Sequence, residues 1–251
     1  MKCILLALII LMPLAIAQEG SINLLASVEK NGNRTGAVVE LDLELVPGTG
    51  RVFVETVPLT KVATQISMRF AKQTACKLAS ANCESIDFFY TIRGFPGVVG
   101  GPSAGAAATI LSLALLENRP LNSSVAITGT INSGGLIGPV GGLKEKITAA
   151  ADRNFETVLI PAGTSIRRED ENTTINYTAL GKELGVDVIE VATISDVAEE
   201  FTGSPLEEVT GEFSKSEKYL KTMERIAAEL CNRTSTLALR IVPETMSNDS
   251  R

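Results

Sequence analysis

A serine and a lysine carry the chemistry available to this sequence, and the residue type that would normally join them is missing. Ser103 sits in Gly101-Pro102-Ser103-Ala104-Gly105, Lys146 closes Gly141-Gly142-Leu143-Lys144-Glu145-Lys146, and the chain contains no histidine. The pentapeptide fits G-x-S-x-G, in which a sharp turn exposes a nucleophilic hydroxyl. A hydroxyl needs a base to take its proton, and without an imidazole a Ser-His-Asp triad is excluded. Lysine can replace it, because desolvation lowers its pKa readily. At its ordinary pKa of about 10.4 almost none is neutral at pH 7, so Val140, Leu143, Ile147 and the helix around Ala104 must bury Lys146 for it to act. Lys144, two residues away, cannot face the same way on a helix and reads as the solvated lysine of the pair. A helix expected to begin at Ser103 would aim its first N–H groups at a developing oxyanion.

Three segments occur in order: G-P-S-A-G at 101–105, T-G-T-I at 128–131 and P-V-G-G-L-K-E-K at 139–146. Together, with Lys146 following Ser103 by 43 residues, they resemble the proteolytic domain of the Lon protease family, in an exported, archaeal-type form. The resemblance runs from about Gly36 to Phe201. It implies an α/β (α+β) domain of mixed sheets with packed helices, like the ribosomal protein S5 domain 2-like fold, and a Ser103–Lys146 catalytic dyad. It also implies that Thr128 helps hold the lysine, that Gly101, Pro102 and Gly105 shape the serine turn, that the substrate is a polypeptide, and that the domains gather in a homo-oligomeric ring. The chain departs from the family pattern at Gly100 and Thr130, where acidic residues are usual, and at Gly134, where Arg is frequent. Those departures bear on substrate preference and site maturation. Lon proteases normally carry an ATPase module, but no G-x-x-x-x-G-K-[ST] loop occurs in this sequence, so the expectation is a stand-alone, ATP-independent enzyme. Ser27-Val28-Glu29-Lys30 fits S-x-x-K, but without S-D-N or K-T-G it reads as chance.

Composition narrows the partners. With 23 Lys plus Arg against 29 Asp plus Glu, the net charge of −6 does not favour nucleic acid. The absence of histidine and of a cysteine quartet removes the usual metal sites, and no cofactor motif is present. Lys2 precedes a 14-residue apolar run, Ile4 to Ala17, that ends in Ala15-Ile16-Ala17. That is the form of a secretory signal peptide, shorter than the roughly 20 apolar residues of a membrane span. If it is kept instead of cleaved, it would anchor the domain to the outer face of the membrane. Asn33, Asn122, Asn172, Asn176, Asn232 and Asn248 each begin N-x-[ST], six of the 12 asparagines, which agrees with a secreted glycoprotein. Beyond Cys3, an odd set of Cys76, Cys83 and Cys231 remains. Cys76 and Cys83 can pair only if the helix carrying Cys76 ends before Cys83, since seven residues of helix separate Cα atoms by about 10 Å.

The elements that must position the two residues follow from periodicity. Leu41, Leu43 and Leu45 alternate with Glu40, Asp42 and Glu44 as in a half-buried strand, and Pro47-Gly48-Thr49-Gly50 predicts a turn into a returning hairpin strand at 51–57. A helix is expected over 59–80, with Val62, Ile66 and Phe70 on its buried face. A strand at 86–92, a glycine-rich loop at 93–100 and a buried helix from Ser103 to Glu117 follow. Then come a strand at 124–128, a hairpin within 130–142, a helix at 143–154 and a strand at 157–161. A polar loop at 162–176, helix 177–184, strand 186–191 and helix 195–201 complete the domain. Ser214 to Cys231 is an amphipathic helix whose apolar residues Leu220, Met223, Ile226, Ala227 and Leu230 are expected to be buried. The organisation is a signal peptide (1–17), a short N-terminal segment (18–35), the Lon-like domain (36–204) and a C-terminal helical extension and tail (205–251). The function expected is an exported, ATP-independent serine endopeptidase acting on unfolded or loosely folded proteins. A non-enzymatic Lon-like binding or chaperone module, or a protease limited to self-cleavage, are the rivals.

Overall fold

In this computed structural model, residues 17–30, 32–57, 59–93, 100–168, 174–206 and 217–238 are described. The apolar run expected to be a signal peptide (apart from Ala17), Cys3, residues 94–99 of the expected glycine-rich loop, and the sequons at Asn172 and Asn248 lie outside the described residues. The chain divides into two units, 1–206 and 207–251.

The first unit opens with a long antiparallel hairpin of β1 (Gln18–Lys30) and β2 (Asn33–Pro47). Residues 18–35, read from sequence as a segment ahead of the domain, therefore supply β1 and the start of β2. Next come β3 (Val52–Thr56), α1 (Val62–Leu78) and β4 (Ile86–Arg93). α2 (Gly105–Leu116) leads to β5 (Val125–Ile127) and a two-stranded ribbon of β6 (Thr130–Ile131) and β7 (Ile137–Gly138). α3 (Leu143–Asp152) and β8 (Thr157–Pro161) follow. A second ribbon, β9 (Ile166–Arg168) with β10 (Thr174–Asn176), crosses what the sequence presented as a polar loop. α4 (Tyr177–Leu184), β11 (Asp187–Val191) and α5 (Ile194–Thr202) close the unit.

Seven strands form one mixed, mostly parallel sheet in the order β11-β8-β5-β1-β2-β4-β3. The parallel half is buried on both faces: Val125 and Ile127 join the core under α1, α2 and α5, while Ala126 joins the core under α3 and α4. Val158, Leu159 and Ile160 alternate between the two cores in the same way, which is why these strands read as unbroken apolar runs. In the other half, Leu41, Leu43 and Leu45 are buried and the intervening acids face outward, so the alternation predicted there holds. α2 runs inside the core, with every residue from Gly105 to Ala114 buried, and its alanines keep it thin enough to fit.

Two further expectations fail, for physical reasons. β3 does not return onto β2; it pairs parallel with β4, which lies between them. The turn after β2 wraps a buried carboxylate instead, with the N–H groups of Thr49 and Arg51 each 2.8 Å from Asp87 Oδ1. Those donors hold the Asp87 carboxyl below its ordinary range, and a Cβ at Gly48 would lie 2.2 Å from its Cγ. In α1, Val62 and Ile66 are exposed and the buried face is Thr64, Ser67, Met68, Ala71, Thr74 and Ala75. Because α1 ends at Leu78, the chain can double back, and Cys76 and Cys83 form a disulfide with a Cα separation of 6.1 Å.

In the second unit, α6 (Glu217–Ala238) is amphipathic, but Leu220, Met223, Ile226 and Leu230 are exposed, so the burial expected for that face is not observed. Cys231 on this helix is a free, exposed thiol. Among the described residues, no helix is long and apolar enough to cross a membrane.

Candidate active site

Helix α2 starts at Gly105 with Ala104 as its cap, and no side chain caps it. Ser103 therefore stands in the turn one residue ahead of the cap, not at the helix start expected from sequence, and its hydroxyl is not spent on capping. Gly101 has φ of 101°, a conformation that only glycine adopts freely, and it sets the sharpness of the turn. The N–H of Gly105 closes the turn on the Pro102 carbonyl at 3.1 Å. A Cβ at Gly105 would lie 2.7 Å from Ile131 Cγ2, so glycine lets α2 approach β6 closely.

The serine turn is tied to the carboxyl end of β5 through one residue. Gly129 donates its N–H to the Ser103 carbonyl and accepts the N–H of Ala106, both at 3.1 Å, while Thr128 N–H bonds Leu159 of β8 at 3.1 Å. Thr128 is thus fixed just past the strand, fully buried.

Lys146 reaches the same place from the opposite core. α3 begins after Gly142, whose positive φ of 69° turns the chain into the helix. Leu143, Lys146, Ile147 and Ala150 lie on the buried face and Lys144 is exposed, as the spacing predicts. Lys146 is only 3% exposed, and its Nζ donates to Thr128 Oγ1 at 2.9 Å. Leu25, Ala126, Leu143 and Ile147 belong to the core on this side, with Val140 packed against it. Burial strips the ammonium of water and lowers its pKa from the ordinary value to about 8, opposed in part by the Glu145 carboxylate.

Ser103 and Lys146 line one cleft of about 870 Å³, with Gly101, Pro102 and Thr130 beside the serine. Leu24, Leu25 and Val39 form part of an apolar wall, and Arg34 and Arg167 also line it. Among the described residues no hydrogen bond joins Ser103 Oγ to Lys146 Nζ; the bond recorded for the lysine goes to Thr128. Gly100 also lines the cleft, under the Lys61 side chain, whose Cδ would lie 2.8 Å from a Cβ there. No group of three or more His, Cys, Asp or Glu among the described residues is gathered to hold a metal ion. The structure brings Ser103, Lys146, Thr128, Gly101, Pro102 and Gly105 together. It adds Thr64 and Ser67, whose hydroxyls meet the serine turn from α1 and which sequence reading passed over. Their partners are carbonyls 37 and 35 positions along the chain, so no local pattern in α1 marks them.

A glycine-lined cleft of mixed polar and apolar walls, with a half-buried hydroxyl and a desolvated amine, can support acyl transfer. Comparison with known proteins agrees. The profile of the family described as "Lon protease (S16) C-terminal proteolytic domain" matches residues 32–201. The Lon protease of Phenylobacterium zucineum is 34% identical over 137 residues, covering 51% of this chain and 16% of that protein. The archaeal Lon protease of Methanothermobacter thermautotrophicus is 29% identical over 190 residues, 72% of this chain and 27% of that protein. A peroxisomal Lon protease homolog of Caenorhabditis elegans is 29% identical over 167 residues, 64% of this chain and 20% of that protein. The chain spans under a fifth of the length of the first curated relatives it matches.

Proposed function

The chain belongs to the family of Lon protease (S16) C-terminal proteolytic domains, and from that premise we propose that it is a serine endopeptidase with Ser103 as nucleophile and Lys146 as general base. The observation that carries the reading is a lysine buried to 3% exposure in the cleft that Ser103 lines, with a hydroxyl and no carboxylate as its hydrogen-bond partner. A charged lysine so placed costs folding energy. A binding module gains nothing from that cost, whereas a base needs it.

In the reaction, neutral Lys146 takes the Ser103 proton as Oγ attacks the peptide carbonyl. Backbone N–H groups of the serine turn receive the oxyanion. Collapse breaks the C–N bond, and Lys146 returns its proton to the leaving amine. A water, deprotonated by the same amine, then hydrolyses the Ser103 ester. Thr128 holds Nζ at the cleft that Ser103 lines, and the step requires Nζ to turn from Thr128 toward Ser103 Oγ.

The substrate class we assign is unfolded or loosely folded polypeptide, because a cleft lined by Leu24, Leu25 and Val39 accepts an extended apolar segment. The sequence contains no phosphate-binding loop, so hydrolysis within it is independent of ATP. Export is supported by the N-terminal apolar run, by the sequons and by a disulfide that an oxidising compartment would maintain. Assembly into a ring remains part of the proposal through family likeness.

The test is casein digestion by the protein, Ser103→Ala and Lys146→Ala, with and without ATP and Mg²⁺. Loss of cleavage in both variants and indifference to nucleotide are expected. Cleavage persisting in both variants would sink the dyad.

A further inference from the structure

Helix α1 turns a face of hydroxyls toward the serine turn. Thr64 and Ser67 are 0% and 3% exposed. Thr64 Oγ1 donates to the Gly101 carbonyl at 3.0 Å. Ser67 Oγ lies 3.3 Å from the Pro102 carbonyl and shares its proton with the Ala63 carbonyl at 3.0 Å. The next carbonyl along, that of Ser103, accepts the Gly129 N–H at 3.1 Å. Three successive carbonyls of the turn are therefore anchored to neighbouring elements.

Anchoring a carbonyl also aims an amide. In a trans peptide the N–H points opposite to the C=O of the same planar unit. The Pro102 carbonyl is held between the Gly105 N–H at 3.1 Å and Ser67 of α1 at 3.3 Å, so the Ser103 N–H points away from both; with the Ser103 carbonyl drawn to Gly129, the Ala104 N–H points away from Gly129. Among the described residues neither N–H has an acceptor. Two donors flank the nucleophile, fixed in direction and unspent.

We propose that Thr64 and Ser67 are positioning residues: Thr64 holds the Gly101–Pro102 unit, which has no N–H of its own, the Pro102 ring fixes the next φ, and Ser67 helps hold the Pro102 carbonyl, so that the Ser103 N–H is already aimed when negative charge develops on the substrate oxygen. The inference rests on the reading of Ser103 as nucleophile. It explains why α1 buries hydroxyls where the periodicity of Val62, Ile66 and Phe70 predicts apolar contact. A valine at 64 would leave the Gly101 carbonyl without its donor. A serine there would keep it.

The experiment compares Thr64→Val/Ser67→Ala and Thr64→Ser with the parent, in the full chain, using a fluorogenic peptide. Circular dichroism confirms folding, and amide hydrogen exchange is followed at Gly105 and Gly129, whose N–H groups bond the Pro102 and Ser103 carbonyls. Removing one oxyanion donor outright costs ~10²–10³ in rate, so misaiming it is expected to lower kcat about tenfold or more. KM should stay within twofold, exchange at Gly105 and Gly129 should accelerate as those carbonyls loosen, and Thr64→Ser should behave as the parent. A folded double variant with kcat within twofold of the parent overturns the inference, as does a loss of kcat that Thr64→Ser shares. Should the double variant not fold, Thr64→Val against Thr64→Ser makes the same comparison. A parent protein with no Ser103-dependent turnover would sink the proposed activity instead. Exchange at the Gly105 and Gly129 amides then decides the positioning role by itself: unchanged rates overturn it and faster rates support it.

Discussion

With burial holding Lys146 at a pKa of about 8, roughly one molecule in ten has the neutral amine at pH 7. The rate of peptide cleavage is therefore expected to rise with pH along an acid limb centred near 8, and a rate flat from pH 6 to 10 would exclude Lys146 as the base. Stability carries the same signature with a defined sign. Below pH 8 the folded protein holds a buried ammonium that the unfolded chain keeps hydrated, so the full penalty applies. Between about 8 and 10.5 the folded lysine has released its proton while the unfolded one has not, and stability rises with pH. Urea unfolding of the parent relative to Lys146→Met should show that rise, on the order of 3 kcal/mol across the window. Thr128→Val removes the acceptor of the ammonium, a bond stronger in the charged state. Its acid limb should move to lower pH while the plateau rate falls about tenfold, because Nζ loses its guide; a limb that stays in place would show that the bond does not bias the proton. Ser103 and Lys146 are singled out by residue type and spacing and Thr128 by the family resemblance, and the structure places the lysine against Thr128 in the cleft that Ser103 lines. Thr64 and Ser67 were not legible, because hydroxyls in a helix report nothing until their carbonyl partners are located.

At the scale of elements, the site depends on how closely β2 and α3 pack. A Cβ at Gly36 would lie 1.9 Å from the Glu145 carbonyl, one residue from the proposed base. Gly36→Ala must push α3 outward or bend β2. We expect a loss of about 2 kcal/mol or more in urea unfolding and a matching fall in kcat, since Lys146 moves with its helix. A variant as stable and as active as the parent would mean that the contact is easily relieved. Most elements were legible from periodicity, and boundaries such as α2 shifted by only a residue or two. The failures at β3 and at the α1 face share a cause. Pro47, Gly48 and Gly50 mark a reversal that predicts a hairpin, but the partner that decides the path is Asp87, 36 positions beyond Arg51. The buried face of α1 was assigned by apolar spacing, while the carbonyls it satisfies lie in a loop 35 and 37 positions away. Non-local polar partners leave no local periodicity.

At the scale of the molecule, the Cys76–Cys83 bridge ties the end of α1 to the approach of β4. Replacing both cysteines by alanine should lower stability by about 2 kcal/mol, while reducing agent should have no effect on that variant. Destabilisation by reductant in the doubly substituted protein would implicate Cys231 instead. The topology sets a further condition, concerning time. β1 is the first described strand, yet it lies in the middle of the sheet, paired along its length with the adjacent β2 and on its other side with β5 through Leu24 and Ile127, about a hundred residues apart. The hairpin can form as soon as it is synthesised, but the second edge must wait for a slow, non-local closure. Thr128 and Gly129, which hold the lysine and the serine turn, immediately follow the strand that makes this closure. A nascent chain therefore carries its proposed nucleophile unassembled until the sheet has zipped, and in refolding, cleavage should begin with β1–β5 pairing and lag behind hairpin formation.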